Sequence, residues 1–145
     1  MIREMRIEDI REVVRIEEEI FSNPWSEKSF QDALTSKDNI YLVAVLEGEV
    51  AGYCGIWTSY DTADLCNIAV TAKYRKRGIA GKLLHEAVNL TAGREVERIL
   101  LEVRESNTAA IALYKKFQFQ KIGVRRGYYS APKEDAVLME LCISH

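Results

Sequence analysis

The sequence predicts a mixed α/β fold of the α+β kind, with a mostly antiparallel central sheet of about seven strands flanked by about four helices. Three observations predict it. Between residues 40 and 70, extended apolar runs follow one another across short turn signals, the pattern of an antiparallel meander. From residue 79 onward, helix-period segments alternate with short apolar runs, and a strand, a crossover helix and a strand imply a parallel pair. The 145 residues, 48% hydrophobic and 29% charged, fit one soluble domain over 1–145 with a core of its own.

The elements follow in chain order. Residues 2–5 read as a short first strand. Glu8 or Asp9 starts a helix whose broad face is Ile10, Val13, Val14, Ile16, Glu17, Ile20 and Phe21. Asn23-Pro24-Trp25-Ser26 breaks it. Ser26 is a good N-cap for a second helix, with Glu27 and Ser29 in its first turn, ending near Leu34. A strand over 40–46 turns at Glu47-Gly48-Glu49 into a strand over 50–58. Gly52 and Gly55 signal a bulge or close packing there. Asp61-Thr62 then leads into a strand over 65–70. Strict alternation puts Leu65, Asn67 and Ala69 on one face and Cys66, Ile68 and Val70 on the other. A helix from Ile79 carries Leu83, Leu84, Ala87 and Val88 at helical spacing and stops at Gly93. Residues 99–103 form an interior strand. Ser106 or Asn107 caps a helix with Ala110, Leu113, Tyr114 and Phe117 on its inner side. Strands over 119–127 and 136–141, joined by a loop over 128–134, close the sheet.

Composition excludes several function classes. A net charge of -2 is no general nucleic-acid signature, and the basic cluster Lys73 to Arg77 suits a small anion better than a duplex. The three cysteines lack C-x-x-C spacing and there are only two histidines, so neither a disulfide framework nor a metal site is expected. Cys54 and Cys66 sit in apolar runs and read as buried small hydrophobes. The charged start, Met1-Ile2-Arg3-Glu4-Met5-Arg6, has no signal-peptide core, and no apolar run approaches membrane-spanning length. A cytoplasmic location is the default expectation.

The chemistry-bearing stretch runs from Asn67 to Leu84. A strand end, Asn67-Ile68-Ala69-Val70, leads into Arg75-Lys76-Arg77-Gly78-Ile79-Ala80-Gly81 at the start of a helix. Small residues there leave backbone N–H groups uncovered, and these, with the helix dipole and nearby cations, favour a phosphate or pyrophosphate. A solvated basic turn capping a structural helix is the plainer alternative. The P-loop pattern G-x-x-x-x-G-K-S/T is excluded, because Lys76 stands at its first glycine and Leu83 at its Ser/Thr.

Arg75-x-x-Gly78-x-Ala80 after this strand resembles the acetyl-CoA loop of the GNAT N-acetyltransferase superfamily. The resemblance continues through Leu101-Glu102-Val103-Arg104-Glu105-Ser106-Asn107, Ala110 and Leu113-Tyr114. With Asn23-Pro24-Trp25-Ser26 and Arg125-Arg126-Gly127-Tyr128-Tyr129, it is similar to the ribosomal-protein alanine N-acetyltransferase (RimI) family over most of the chain. The resemblance implies acetyl-CoA as co-substrate, without a metal. It implies a protein N-terminus as acceptor, that of the small-subunit ribosomal protein numbered eighteen or similar ones.

The same resemblance assigns roles. Backbone groups of Ile68, Ala69 and Val70 bind the pantetheine arm as an added strand does. Arg75, Lys76, Arg77, Gly78, Ile79, Ala80 and Gly81 hold the phosphates, and Asn107 contacts CoA besides capping its helix. Glu102 is the base; a carboxylate with its pKa raised by burial suits that work. By itself, Glu102 reads first as a strand-end carboxylate paired with Arg104, Arg125 or Arg126. Tyr114 is the acid for the departing thiolate, or else a core aromatic with its hydroxyl at the edge. Trp25 is a wall of the acceptor groove or an anchor between helices. Tyr128 and Tyr129 line the peptide groove, with Glu134 and Asp135 adding negative charge near the acceptor ammonium. Two departures stand out: Gln118 where relatives usually carry Gly, and Arg75 where they often carry Gln. A small-molecule amine as acceptor, or a non-catalytic CoA-binding module, are the other functions such a chain could have.

Overall fold

The computed structural model describes residues 1–143. The strands are β1 (Ile2–Glu4), β2 (Asn39–Leu46), β3 (Glu49–Ser59), β4 (Thr62–Val70), β5 (Arg98–Arg104), β6 (Gln120–Ser130) and β7 (Lys133–Cys142). The helices are α1 (Ile10–Ile20), α2 (Glu27–Leu34), α3 (Ile79–Ala92) and α4 (Thr108–Lys116). The strands form one sheet in the order β1-β2-β3-β4-β5-β7-β6. Only β4 and β5 run parallel; every other pair is antiparallel. Among the described residues no helix is long and apolar enough to cross a membrane.

Local signals place the elements as read. The Ser26 hydroxyl accepts the Ser29 N–H and caps α2. Glu47 (φ 52°) and Gly48 (φ 76°) make the two-residue turn whose twist suits a hairpin. Two cores lie on opposite faces of the sheet. One packs α3 and α4, through Ile79, Leu83, Leu84 and Tyr114, on Leu42, Cys54, Ile99 and Val137. The other packs α1 and α2, through Val13, Ile16 and Phe30, on Tyr41, Val43 and Tyr53. Burying each large apolar side chain contributes about 1.5–3 kcal/mol.

The structure corrects four expectations. Cys66 is a bulge: Gly55 pairs with Asn67 and Ile56 with Leu65, so Cys66 has no partner on β3. The extra residue shifts the alternation, and Leu65 packs in the same core as Ile68 and Val70, whereas Ala69 lies in the other. Cys66 is therefore exposed, and only Cys54 of the two is buried. Tyr128 and Tyr129 lie within β6, not in a loop; the turn is confined to Ala131 and Pro132.

Candidate active site

β4 and β5 pair only from Thr62 with Arg98 to Asp64 with Leu100. Beyond that point β4 stays on β3 as far as Val70, and β5 stays on β7 as far as Arg104. The two strands therefore splay into a wedge. The β4 edge at Ile68 and Val70 has no strand partner on that side, so its backbone groups, apart from the Val70 carbonyl, are open to an amide-bearing ligand, whereas Ala69 turns its own toward β3.

The mouth of the wedge is closed by the start of α3. A turn over Ala72–Tyr74 leads to Lys76 (φ 63°) and Gly78 (φ 74°), the N-cap of α3. No side chain caps it, and a Cβ at Gly78 would meet nothing within 4 Å. The first N–H groups of α3, among them those of Ile79, Ala80 and Gly81, lack intrahelical partners, which fits an anion. Gly81 also packs against α4, where a Cβ would lie 3.7 Å from Leu113. Exposed Arg75 donates its Nε to the Val70 carbonyl at 3.2 Å and braces the end of β4. Lys73 is paired with Glu49 at 2.8 Å. Exposed Lys76 and Arg77 remain as cations for a phosphate group, with Arg77 lying 5.3 Å over the Tyr74 ring. On α4, Asn107 Oδ1 accepts the Ala110 N–H at 3.2 Å. Capping uses only the oxygen, so the Nδ2 donors stay available.

Glu102 and Tyr114 lie on opposite faces of the sheet. Tyr114 is buried in the α3–α4 core, 5.7 Å from the Phe119 ring. Burial pushes its hydroxyl pKa up, so the proton is held firmly. Glu102 follows the alternation of β5 to the face that α1 and α2 leave uncovered on β5, β7 and β6. It is exposed, contrary to the buried carboxylate expected. Arg125 Nε stands 3.8 Å from its Oε1. A hydrogen bond to Glu102 raises the Tyr128 pKa, and burial, followed by the charge of Glu102, pushes Tyr129 up to about 12. Asp64 is likewise raised by burial and by the charge of Glu102. Glu102 is thus the centre of an open carboxylate and phenol cluster.

Two walls flank that cluster. Trp25, half-buried, packs 5.1 Å from Phe30 and 6.0 Å edge-on from Trp57, so it is anchored between α2 and β3, and Trp57 pairs across the sheet with Asp64, which senses the Glu102 charge. On the other side, Gly127 (φ 61°) forms a bulge that sets Arg126, Gly127 and Tyr128 opposite Asp135. Arg104 stacks 4.3 Å over Tyr129 and pairs with Glu134 at 3.2 Å. Glu134 also accepts the Ser106 N–H, and Asp135 accepts that of Gly127 at 2.7 Å. Both carboxylates hold the hairpin together; Asp64 and Glu102 supply the negative charge of the groove. Asp64, Trp57, Asn67 and Glu17 were given no side-chain role from sequence. Two of them carried a signal: Glu17 stands at a core phase of α1, and Asn67 is a polar residue inside an apolar strand.

The model of the acetyltransferase (GNAT) family matches residues 10–119. The ribosomal protein bS18-alanine N-acetyltransferase of Escherichia coli (strain K12) is 35% identical over 147 residues, covering 99% of this chain and 97% of its own. A Bacillus subtilis (strain 168) relative is 42% identical over 144 residues, covering 99% and 95%. The crystal structure of the Escherichia coli ribosomal-protein-S18-alanine N-acetyltransferase superposes with a TM-score of 0.91 at 33% identity, covering 100% of this chain and 94% of that one.

Proposed function

The chain belongs to the GNAT acetyltransferase family, within its ribosomal-protein alanine N-acetyltransferase (RimI) branch, and on that premise we propose that it acetylates the N-terminal alanine of ribosomal protein bS18 or similar protein N-termini. The observation that carries this is the β4–β5 wedge, with Glu102 on one face, Tyr114 on the other and the uncapped start of α3 at its mouth.

Acetyl-CoA supplies the acetyl group as an activated thioester. The open N–H groups at Gly78 to Gly81, with Lys76 and Arg77, hold its phosphates, and Asn107 adds a donor. The Ile68 to Val70 edge pairs with its amide-rich arm. An N-terminal ammonium enters between the Trp25 wall and the Tyr128-Tyr129 wall. Glu102 takes its proton, directly or through water, so that the neutral amine nitrogen can attack the thioester carbon. Backbone N–H groups of the Ile68 and Val70 edge stabilise the negative oxygen that develops. The C–N bond forms, the C–S bond breaks, and Tyr114 gives its proton to the departing sulfur; the nitrogen loses its second proton to solvent as the amide forms, and solvent re-protonates Tyr114. No acyl-enzyme is needed, and the Cys66 thiol, its pKa pushed up to about 12, is a poor nucleophile.

The test is acetyl transfer, followed by mass spectrometry, to an Ala-Arg-Tyr-Phe-initiated peptide. The same peptide with a blocked N-terminus and an internal lysine runs beside it. Acetylation of the free-terminus peptide alone is expected. Transfer to the lysine, or to neither peptide while acetyl-CoA still binds, refutes α-amine specificity and turns the search to small amines.

A further inference from the structure

Glu17 lies on α1 with 2% of its surface exposed, and a buried carboxylate is costly unless hydrogen-bonded. Among the described residues no cation pairs with it. Its partners come from three separate segments. Oε2 accepts the Trp25 backbone N–H at 2.9 Å, in the connection between α1 and α2. Oε1 accepts the Tyr53 hydroxyl of β3 at 2.5 Å and Asn67 Nδ2 of β4 at 3.4 Å. The chain of bonds continues on the far side. Asn67 Oδ1 accepts the Tyr41 hydroxyl at 2.9 Å, and the Tyr41 oxygen accepts Trp57 Nε1–H at 2.8 Å. Trp57 then meets Trp25 edge-on, which closes the circuit. Gly55 makes room for it, because a side-chain carbon there would overlap the Tyr41 ring.

The circuit joins two places that the reaction needs in register. One is the Trp25–Trp57 wall of the acceptor groove. The other is Asn67, the residue after the Cys66 bulge, from which the open edge of β4 runs. An apolar side chain at 17 would fill the same space, yet leave the Trp25 N–H and the Tyr53 hydroxyl without a partner.

We propose that Glu17 is a positioning residue: its buried carboxylate fixes the acceptor wall, Trp25 against Trp57, in register with the wedge edge of β4. The kinetic half of this rests on the acetyl-transfer function proposed above; the structural half does not. Trp25 and Trp57 are the only two tryptophans of the chain, so intrinsic emission and near-ultraviolet dichroism read the wall with no substrate present.

The experiment compares the full chain with Glu17→Leu and Glu17→Gln. Gln keeps an acceptor for the Trp25 N–H and serves as the conservative rescue. Glu17→Leu is expected to red-shift tryptophan emission and to raise KM for the Ala-Arg-Tyr-Phe peptide about tenfold, the scale of one lost charge-assisted bond. The Kd for acetyl-CoA should stay within about twofold, because the α3 anion site is untouched. Glu17→Gln should lie close to wild type in both. A folded Glu17→Leu with wild-type emission and peptide KM overturns the proposal, as does an equal loss of peptide and acetyl-CoA affinity. Should Glu17→Leu fail to fold, Tyr53→Phe removes one bond without a cavity; an emission shift of the same sign supports the proposal and an unchanged spectrum overturns it. If the wild-type protein acetylates no peptide, the acceptor reading fails, and the tryptophan spectra alone decide this one by the same criterion.

Discussion

Tyr114→Phe should separate chemistry from stability. The phenol ring fills the α3–α4 core and contacts Phe119, and Phe preserves both. Among the described residues no buried side-chain N or O lacks a partner, and no hydrogen bond reaches the Tyr114 hydroxyl. The hydroxyl is therefore the part of Tyr114 that meets solvent. Its removal orphans nothing, so the stability change at pH 7 should stay below about 1 kcal/mol. Loss of a proton donor costs about 100- to 10,000-fold in rate, or about 2.7–5.4 kcal/mol of barrier. The pH dependence gives a further check. Burial raises the folded-state pKa of Tyr114 above the unfolded value of about 10. The associated stability is fully present below pH about 10 and is lost as pH rises toward the folded-state pKa. Wild type should therefore lose stability relative to Tyr114→Phe above that pH. Urea unfolding at pH 7 and in mild alkali, beside kcat for the peptide, measures all three quantities. A folded Tyr114→Phe that keeps wild-type kcat refutes the assignment of Tyr114 as the acid.

Glu102→Gln keeps the shape beside Arg125 but cannot take a proton, so turnover should fall about 100- to 10,000-fold with the Kd for acetyl-CoA unchanged. Wild-type turnover across the pH range would remove Glu102 from the role of base. Gly55→Ala forces the Tyr41 ring away from Asn67 and Trp57, costing about 1–3 kcal/mol of overpacking plus about 1 kcal/mol for each hydrogen bond broken. Urea unfolding measures the loss, and a cost under half that of overpacking alone would show that Tyr41 moves freely. Asp9 accepts two bonds from Arg3, at 2.7 and 2.9 Å, and the Arg6 N–H at 2.7 Å. The Arg3 bond, then that of Arg6, holds its pKa below the usual carboxylate value. That stability is present above pH about 4 and lost as pH falls through the folded-state pKa. The gap between wild type and Asp9→Asn should therefore be full at pH 7 and close in acid; an equal gap at both would refute the coupling.

Legibility in the sequence followed the range of each cause. The cap at Ser26, the turn at Glu47-Gly48 and the uncapped start of α3 at Gly78 are set by neighbours in sequence, and all were readable from their spacing. The face taken by Asn67 was not. Period-two reading assumes no extra residue, and the Cys66 bulge inserts one where both phases are apolar enough to pass. Tyr128 and Tyr129 escaped for a similar reason, since Gly127 reads as the end of the strand although it is a bulge and pairing resumes at Tyr129 with Glu134. Glu102 was placed correctly on its strand, but its exposure depends on how far α1 and α2 extend over the sheet. That is a tertiary fact with no local trace.

Gln118 shows how a local device holds a candidate catalytic group. It has φ 74°, the left-handed conformation in which glycine alone is unstrained. The Phe119 N–H bonds the Tyr114 carbonyl at 3.0 Å, and the Gln118 N–H bonds that of Lys115 at 3.0 Å. This is the Schellman ending of a helix, and its usual apolar contact is here the Tyr114–Phe119 ring pair. The turn that stops α4 thus also clamps Tyr114 in place. Gln118→Gly relieves the left-handed strain while both hydrogen bonds and the ring pair persist. It should stabilise the protein by up to about 1 kcal/mol, less what glycine adds to the freedom of the unfolded chain. For a domain of this size that raises Tm by roughly 2–4 °C at most. Because the clamp is made by backbone and rings, kcat should not change. A fall in Tm would show that the Gln118 side chain contributes more than its backbone strain costs. A fall in kcat with Tm raised would show that Tyr114 depends on a stiffness that glycine removes.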